Sequence, residues 1–152
     1  MKVPQFEAKH SLFEEKVRES FKKQLFMKHI GAELIAVRPG YCEIKLPYAE
    51  ELTQQHGFFH AGVVATIADN ASGYAAFTLM EASSSILTVE FKINLIAPGQ
   101  GDFLLAKAEV LHRGRTITLC NTRVFSVTNG TEKLSAVVQA SLMQLHDRED
   151  GK

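Results

Sequence analysis

Apolar side chains recur along this chain in two periods, one that suits helices and one that suits strands. Between positions 11 and 29, Leu12, Phe13, Val17, Phe21, Leu25 and Phe26 fall near helical spacing with charges between them. Ser11 followed by Glu14 fits a capping box and Gly31 a stop, so the spacing predicts one amphipathic helix laid on something larger. Leu34 to Val37 and Tyr41 to Leu46 then flank Pro39-Gly40, with Cys42, Ile44 and Leu46 alternating with Glu43 and Lys45. That period of two predicts a hairpin.

The stretch from Ala61 to Met80 is apolar, small or neutral polar throughout, except for Asp69. It predicts a helix over 61–80 that is buried on every side. Beyond it the chain reads as strand. Leu87, Val89, Phe91, Ile93 and Leu95 are expected on one face, with Thr88, Glu90, Lys92 and Asn94 on the other. Turn signals at Pro98-Gly99, Arg113-Gly114 and Asn129-Gly130 bound three more runs rich in β-formers: Phe103 to His112, Thr116 to Val127 and Leu134 to Leu145. These read as strands of an antiparallel meander.

Five or six antiparallel strands and one long apolar helix combine economically if the sheet curls around the helix, an α+β architecture. The helix is suited to such wrapping, because Ala61, Ala65, Ala68, Ala71, Gly73, Ala75 and Ala76 allow close approach. A length of 152 residues suits one domain, 1–152, with 1–30 as an N-terminal extension and 146–152 as a flexible tail.

Seventeen basic and seventeen acidic residues cancel, so no global field favours nucleic acid or an anionic membrane. Asp69, Asn70, Ser72 and Gly73 at the centre of the apolar stretch argue against a membrane span, as does the absence of a flanking Lys/Arg cluster. Cys42 and Cys120 lie far apart without a CxxC or Cys/His cluster and read as core thiols in a reducing compartment. The opening MKVPQFEAKH lacks the apolar core of a signal peptide. The expectation is a cytoplasmic protein.

The lone carboxylate of Asp69 is the first place to look for chemistry. Burying it ionised is costly unless a partner compensates. It is either a structural Asp bonded to backbone or a packed neighbour, or a group kept for use.

The segment Gln54-Gln55-His56-Gly57-Phe58-Phe59-His60-Ala61-Gly62, with Asp69 nine residues after His60, is followed by Thr88-Val89-Glu90-Phe91-Lys92-Ile93-Asn94 leading to Pro98. These paired motifs resemble the hotdog-fold acyl-CoA thioesterases of the phenylacetic-acid-pathway (PaaI) type, over about residues 30 to 145. The resemblance implies a hotdog subunit, a homodimer with a continuous sheet and often a homotetramer. It also implies hydrolysis of an acyl-CoA, with coenzyme A as part of the substrate and no resident cofactor.

By position, Asp69 matches the family's catalytic carboxylate and the N–H of Ala61 its carbonyl-polarising group. His60 opens the motif, Gln54 falls where relatives often carry an Asn near the attacking water, and Thr88 matches a hydroxyl that orients it. Two departures stand out: Ala61 replaces the commoner Gly, adding a methyl group where substrate approaches, and Gln54 is a methylene longer than Asn.

Physical argument bears on the same groups. The opening N–H groups of the central helix, at Ala61 and Gly62, lack intrahelical partners and sit at the positive end of the dipole. Asp69 lies eight residues on, ~12 Å along the axis at the helical rise. One carbonyl carbon cannot touch both. Two copies with antiparallel helices would bring the helix start of one to Asp69 of the other, so catalysis would require a dimer with two equivalent sites.

His60 either satisfies backbone groups in the turn or transfers a proton, and His56 either lines the acyl pocket or caps a loop. Phe58 and Phe59 read equally as acyl-pocket wall or core. Arg113-Gly114-Arg115 is by default a hairpin turn with solvated charges, although the family often sets basic residues here against the coenzyme A phosphates. Lys92 and Glu90 read as a surface or dimer-interface pair. His10, His29, His112 and His146 share no metal-ligand spacing, and no metal is expected.

Two other functions remain beside thioester hydrolysis. A non-catalytic acyl-CoA sensor would keep the pocket without needing Asp69 ionised. A hydratase or dehydratase would want a catalytic His paired with an acid, but Tyr74 stands where the hydratase branch places its His.

Overall fold

A computed structural model describes residues 5–148 and 150. Two short helices, α1 (Phe13–Lys23) and α2 (Leu25–His29), precede the hairpin β1 (Glu33–Arg38) and β2 (Tyr41–Pro47). A single 3-10 turn, Glu50–Leu52, leads to the long helix α3 (Ala61–Phe77). Four strands complete the chain: β3 (Ser85–Leu95), β4 (Phe103–Arg113), β5 (Ile117–Thr128) and β6 (Thr131–Leu145). They form one antiparallel six-stranded sheet in the order β1-β2-β4-β5-β6-β3.

The sheet packs its inner face on α3 through residues as small as those of the helix. Ala106, Ala108, Ala136 and Ala140 from the strands and Ala68, Ala71, Ala75 and Ala76 from the helix are all fully buried. Small side chains on both surfaces let helix and sheet approach closely, and Ile44, Leu46, Leu104 and Leu142 fill the flanks. Cys42 and Cys120 are free and buried in this layer, and burial pushes both thiols up, Cys120 to about 12.

Several elements differ from what periodicity predicts. The expected single helix over 11–29 breaks at Gln24, whose backbone is extended (ψ 98°). The break turns Leu25 and Phe26 away from the core, leaving them 79% and 57% exposed. The Ser11 capping box does not form. Leu12 is the N-cap, and Glu14 instead accepts from Arg18 one turn on, at 2.8 Å. Gly31 does end α2, at φ 74°.

Helix α3 ends at Phe77, short of the expected Met80, where the Thr78 hydroxyl accepts from Gly40 N–H and donates to Ala75 C=O. Nor is α3 buried all round. Gly62, Ala65, Thr66, Asp69, Asn70 and Gly73 form a stripe of small and polar residues that is exposed or half-buried.

The meander holds for β4, β5 and β6, joined at Asn129-Gly130 by a two-residue turn with both residues at positive φ (49° and 76°). Strand β3 leaves it and pairs instead with β6 at the far edge. Its alternation is also interrupted. Thr88 pairs with Leu142 but Glu90 with Ser141, so Val89 is an extra residue in a bulge. Thr88 therefore shares the helix-facing side with Phe91, Ile93 and Leu95, which pair with the buried Ala140, Val138 and Ala136. Of the expected flexible tail, Glu149, Gly151 and Lys152 lie outside the described residues, and His146 and Asp147 form a turn.

Candidate active site

The loop before α3 is fixed at several points by its backbone. Thr53 bridges Phe59, Gln54 N–H donates to Phe58 C=O (2.8 Å), and Gly57, at φ 78°, closes the turn by donating to Gln54 C=O (2.9 Å). Phe59 N–H donates to Gly99 C=O and His60 N–H to Leu52 C=O, both at 2.8 Å. This lashing aims the start of α3.

His60 is the N-cap of α3, and its Nδ1 accepts from Gly62 N–H at 2.8 Å. A neutral ring used this way carries its proton on Nε2, the nitrogen left for other work. Val63 and Val64 N–H donate to His60 C=O. The N–H of Ala61 is left without an acceptor among the described residues. Gly62, expected beside it, is occupied by the cap.

Beside Ala61 opens a cavity of about 480 Å³ walled by Gln54, Phe58, Phe59, Val64 and the segment 95–99. Phe59 is also buried in the core and packs edge-on against Tyr48, whereas Phe58 is half-buried at the wall. The Gln54 carboxamide folds back to accept from His56 N–H in its own turn, and His56 is exposed.

Asp69 sits further along α3 and belongs to a different pair of cavities, of about 410 and 240 Å³. Thr88 Oγ1 donates to Asp69 Oδ1 at 2.8 Å, and no cation among the described residues pairs with the carboxylate. Burial raises the Asp69 pKa above the ordinary value, and the Thr88 bond works against that shift. The carboxylate is thus a stronger base than a solvated Asp, held by a hydroxyl and open to a cavity, as a water-activating group needs to be.

The residues picked out by sequence therefore fall into two halves in one chain. Gln54, Phe58, Phe59 and Ala61 line one cavity, with His60 capping the helix beside it. Asp69, Thr88 and Gly62 line the others. Arg113, Gly114 and Arg115 join neither half. They form the β4–β5 turn, with Gly114 N–H donating to Ile117 C=O at 2.9 Å, and Arg113 is near enough to Glu81 to help hold its carboxyl below the usual range, after Lys9. Tyr74 hydrogen-bonds to Ser20 and Gln24.

Sequence reasoning missed the residues above Asp69. Gln24 Oε1 accepts from Asn70 Nδ2 at 2.8 Å while its Nε2 donates to Tyr74 Oη at 2.7 Å, and Tyr74 Oη lies 3.1 Å from Ser20 Oγ. The one available signal was Asn70, a second polar residue beside Asp69 in an apolar helix. Nothing in the local pattern marks Gln24.

Comparisons with known proteins bear on the family and the fold. A family model described as the thioesterase superfamily matches residues 56–133, just over half of the chain and including His60, Ala61, Asp69 and Thr88. The chain belongs to the thioesterase superfamily. Its subunit is a hotdog fold, as the resemblance implied. A solved thioesterase-family protein from Silicibacter pomeroyi is 44% identical, with a TM-score of 0.86 over 88% of this chain and 98% of that one. A 1,4-dihydroxy-2-naphthoyl-CoA hydrolase from Listeria monocytogenes is 26% identical over 113 residues, 74% of this chain and 89% of the relative. The Escherichia coli PaaI protein from the phenylacetic acid degradation operon shares the fold with a TM-score of 0.78 at 19% identity, over 88% of this chain and 93% of its own.

Proposed function

We propose that this protein hydrolyses an acyl-CoA thioester to the free acid and coenzyme A, at two equivalent sites each shared by two subunits. The observation that carries the reading is the division of the site. The free Ala61 amide and the Asp69–Thr88 pair sit on one helix, ~12 Å apart along its axis by the rise per residue. Only a second copy, with its α3 antiparallel, can supply the missing half of each.

Strand β3 supports that pairing. It is an edge strand of eleven residues with Leu87, Val89, Phe91 and Leu95 each 40% exposed or more. A long apolar edge of this kind invites pairing with another strand, and joining two β3 edges would make one continuous sheet. The resemblance adds a tetramer of such dimers.

In the reaction the thioester carbonyl oxygen accepts from Ala61 N–H, at the positive end of α3, where negative charge develops. Asp69 of the other subunit takes a proton from the attacking water, or attacks the carbonyl itself and is released by water in a second step. Thr88 fixes the carboxylate. The C–S bond breaks, coenzyme A leaves as thiolate and is protonated, and the acid departs. The reading needs no resident cofactor, nucleic acid or membrane. No helix among the described residues is long and apolar enough to cross a bilayer, and the two unpaired core thiols support a reducing, cytoplasmic setting.

Thiol release from phenylacetyl, benzoyl, short and medium-chain acyl-CoAs tests the activity, with wild type and Asp69→Asn compared. Hydrolysis that falls by about 10²- to 10⁴-fold in the variant while substrate still binds supports the reading. Binding without turnover in either protein would make it an acyl-CoA sensor.

A further inference from the structure

Two cavities meet at Asp69, and the same three residues, Gln24, Asp69 and Asn70, line both. The larger, about 410 Å³, is walled by Phe26, Met27, Ala65 and Phe91 and is mostly apolar. The smaller, about 240 Å³, is edged by Ser20, Tyr74 and Thr88 as well as Ile86 and Leu87, and is about half polar. Between them stands the side-chain amide of Gln24, bonded to that of Asn70 at 2.8 Å.

We propose that the Gln24–Asn70 amide pair is the partition that limits how long an acyl group fits beside Asp69. The proposal rests on the thioesterase reading above and takes the apolar cavity at Asp69 as the place for the acyl group. Three features converge on it. The α1–α2 break places Gln24 over α3 and sends Phe26 and Met27 on as the wall of the apolar cavity. The amide of Gln24 bonds directly to that of Asn70, and its other bond, to Tyr74 Oη, ties it to Ser20 of α1. Asn70 Oδ1 is buried with no partner among the described residues. A bridge kept only for stability would not leave a buried acceptor empty.

An acyl chain lying along Phe26 and Phe91 runs against this polar bar. Each further methylene would have to displace the bonded amides to reach a space that is about half polar, and the burial gained there does not compensate for the amide bond lost. Gln24→Ala or Asn70→Ala removes one side of the bar and joins the two cavities. Tyr74→Phe removes the phenol hydrogen bonds while leaving both amides in place.

The test is a saturated, linear acyl-CoA length series, read as kcat/KM for hydrolysis and as Kd for the matching S-alkyl thioether analogues, which cannot be hydrolysed. Thermal melting establishes which variants fold, and either alanine variant suffices. The expected result is that the longest group accepted by wild type gains no penalty in the alanine variants. Groups beyond it improve by about tenfold or more per methylene in both kcat/KM and Kd, and Tyr74→Phe keeps the wild-type cut-off. An unchanged cut-off in the alanine variants overturns the proposal, as does an equal shift in Tyr74→Phe, which would show the network acting only by seating α1. If wild type hydrolyses none of the series yet the analogue cut-off moves as expected, the hydrolysis reading fails and the partition stands.

Discussion

Thr88 Oγ1 donates to Asp69 Oδ1 at 2.8 Å, from an edge strand to the middle of the central helix. The bond exists because a single extra residue, Val89, reverses the facing of β3, so that Thr88 points to the same side as Phe91. It also sets the chemistry, since burial raises the Asp69 pKa and this hydrogen bond opposes the rise.

Thr88→Val should therefore move the Asp69 pKa further up. The active form is the unprotonated carboxylate, so the acid limb of the kcat/KM profile shifts to higher pH, and activity on the plateau falls by about tenfold from lost positioning. A pH–rate profile of both proteins checks this, and an acid limb that stays in place would detach Thr88 from Asp69.

The same raised pKa makes Asp69 a cost to the fold. A carboxyl whose folded pKa lies above its unfolded one binds more protons when folded, so its contribution is fully present below the unfolded value, near 4, and is lost as pH rises through the folded one. Asp69→Asn keeps an acceptor for Thr88 without the charge. It should melt higher than wild type at pH 7, with the gap closing below about pH 4. A lower melting temperature at pH 7 would return Asp69 to a structural role.

Much of this arrangement could be read from the chain, for physical reasons that differ between elements. The Asn129-Gly130 turn is specific because both residues take positive φ, and Gly31 ends α2 for a similar reason. The separation of Ala61 from Asp69 follows from the helical rise alone. The facing of Thr88 could not be read, since a bulge inserts a residue without disturbing apparent alternation. The break at Gln24 was equally hidden. Glutamine is a good helix former at a polar position, and its partners at the break, Asn70 and Tyr74, lie 46 and 50 residues away in sequence.

Ala61→Pro deletes one atom of interest, the amide hydrogen. Proline is favoured at the first position of a helix, and His60 before it already has the extended backbone (φ −61°, ψ 138°) that proline prefers in its neighbour. The fold should survive, while kcat drops by about 10²- to 10³-fold, the range for losing an oxyanion donor. Circular dichroism and steady-state kinetics together check it. Near-normal kcat would remove the Ala61 amide from the mechanism.

Val89 projects from the bulge of β3 and is 55% exposed in the single chain. On the dimer account, Val89→Asp places a charge in a strand-to-strand seam and should yield monomers in analytical ultracentrifugation, with hydrolysis lost in parallel. A fully active monomer would contradict the shared site.

The most direct measurement mixes Ala61→Pro with Asp69→Asn subunits, unfolded and refolded together in equal amounts so that exchange is complete. Each variant alone is expected to keep at most about a hundredth of wild-type activity, but a mixed dimer has one site with both defects and one with neither. Random pairing makes half the dimers mixed, so the account predicts recovery to about a quarter of wild-type activity. No recovery, with mixed dimers demonstrated by mass spectrometry, would mean that each chain carries its own complete site, and the shared-site reading would be wrong.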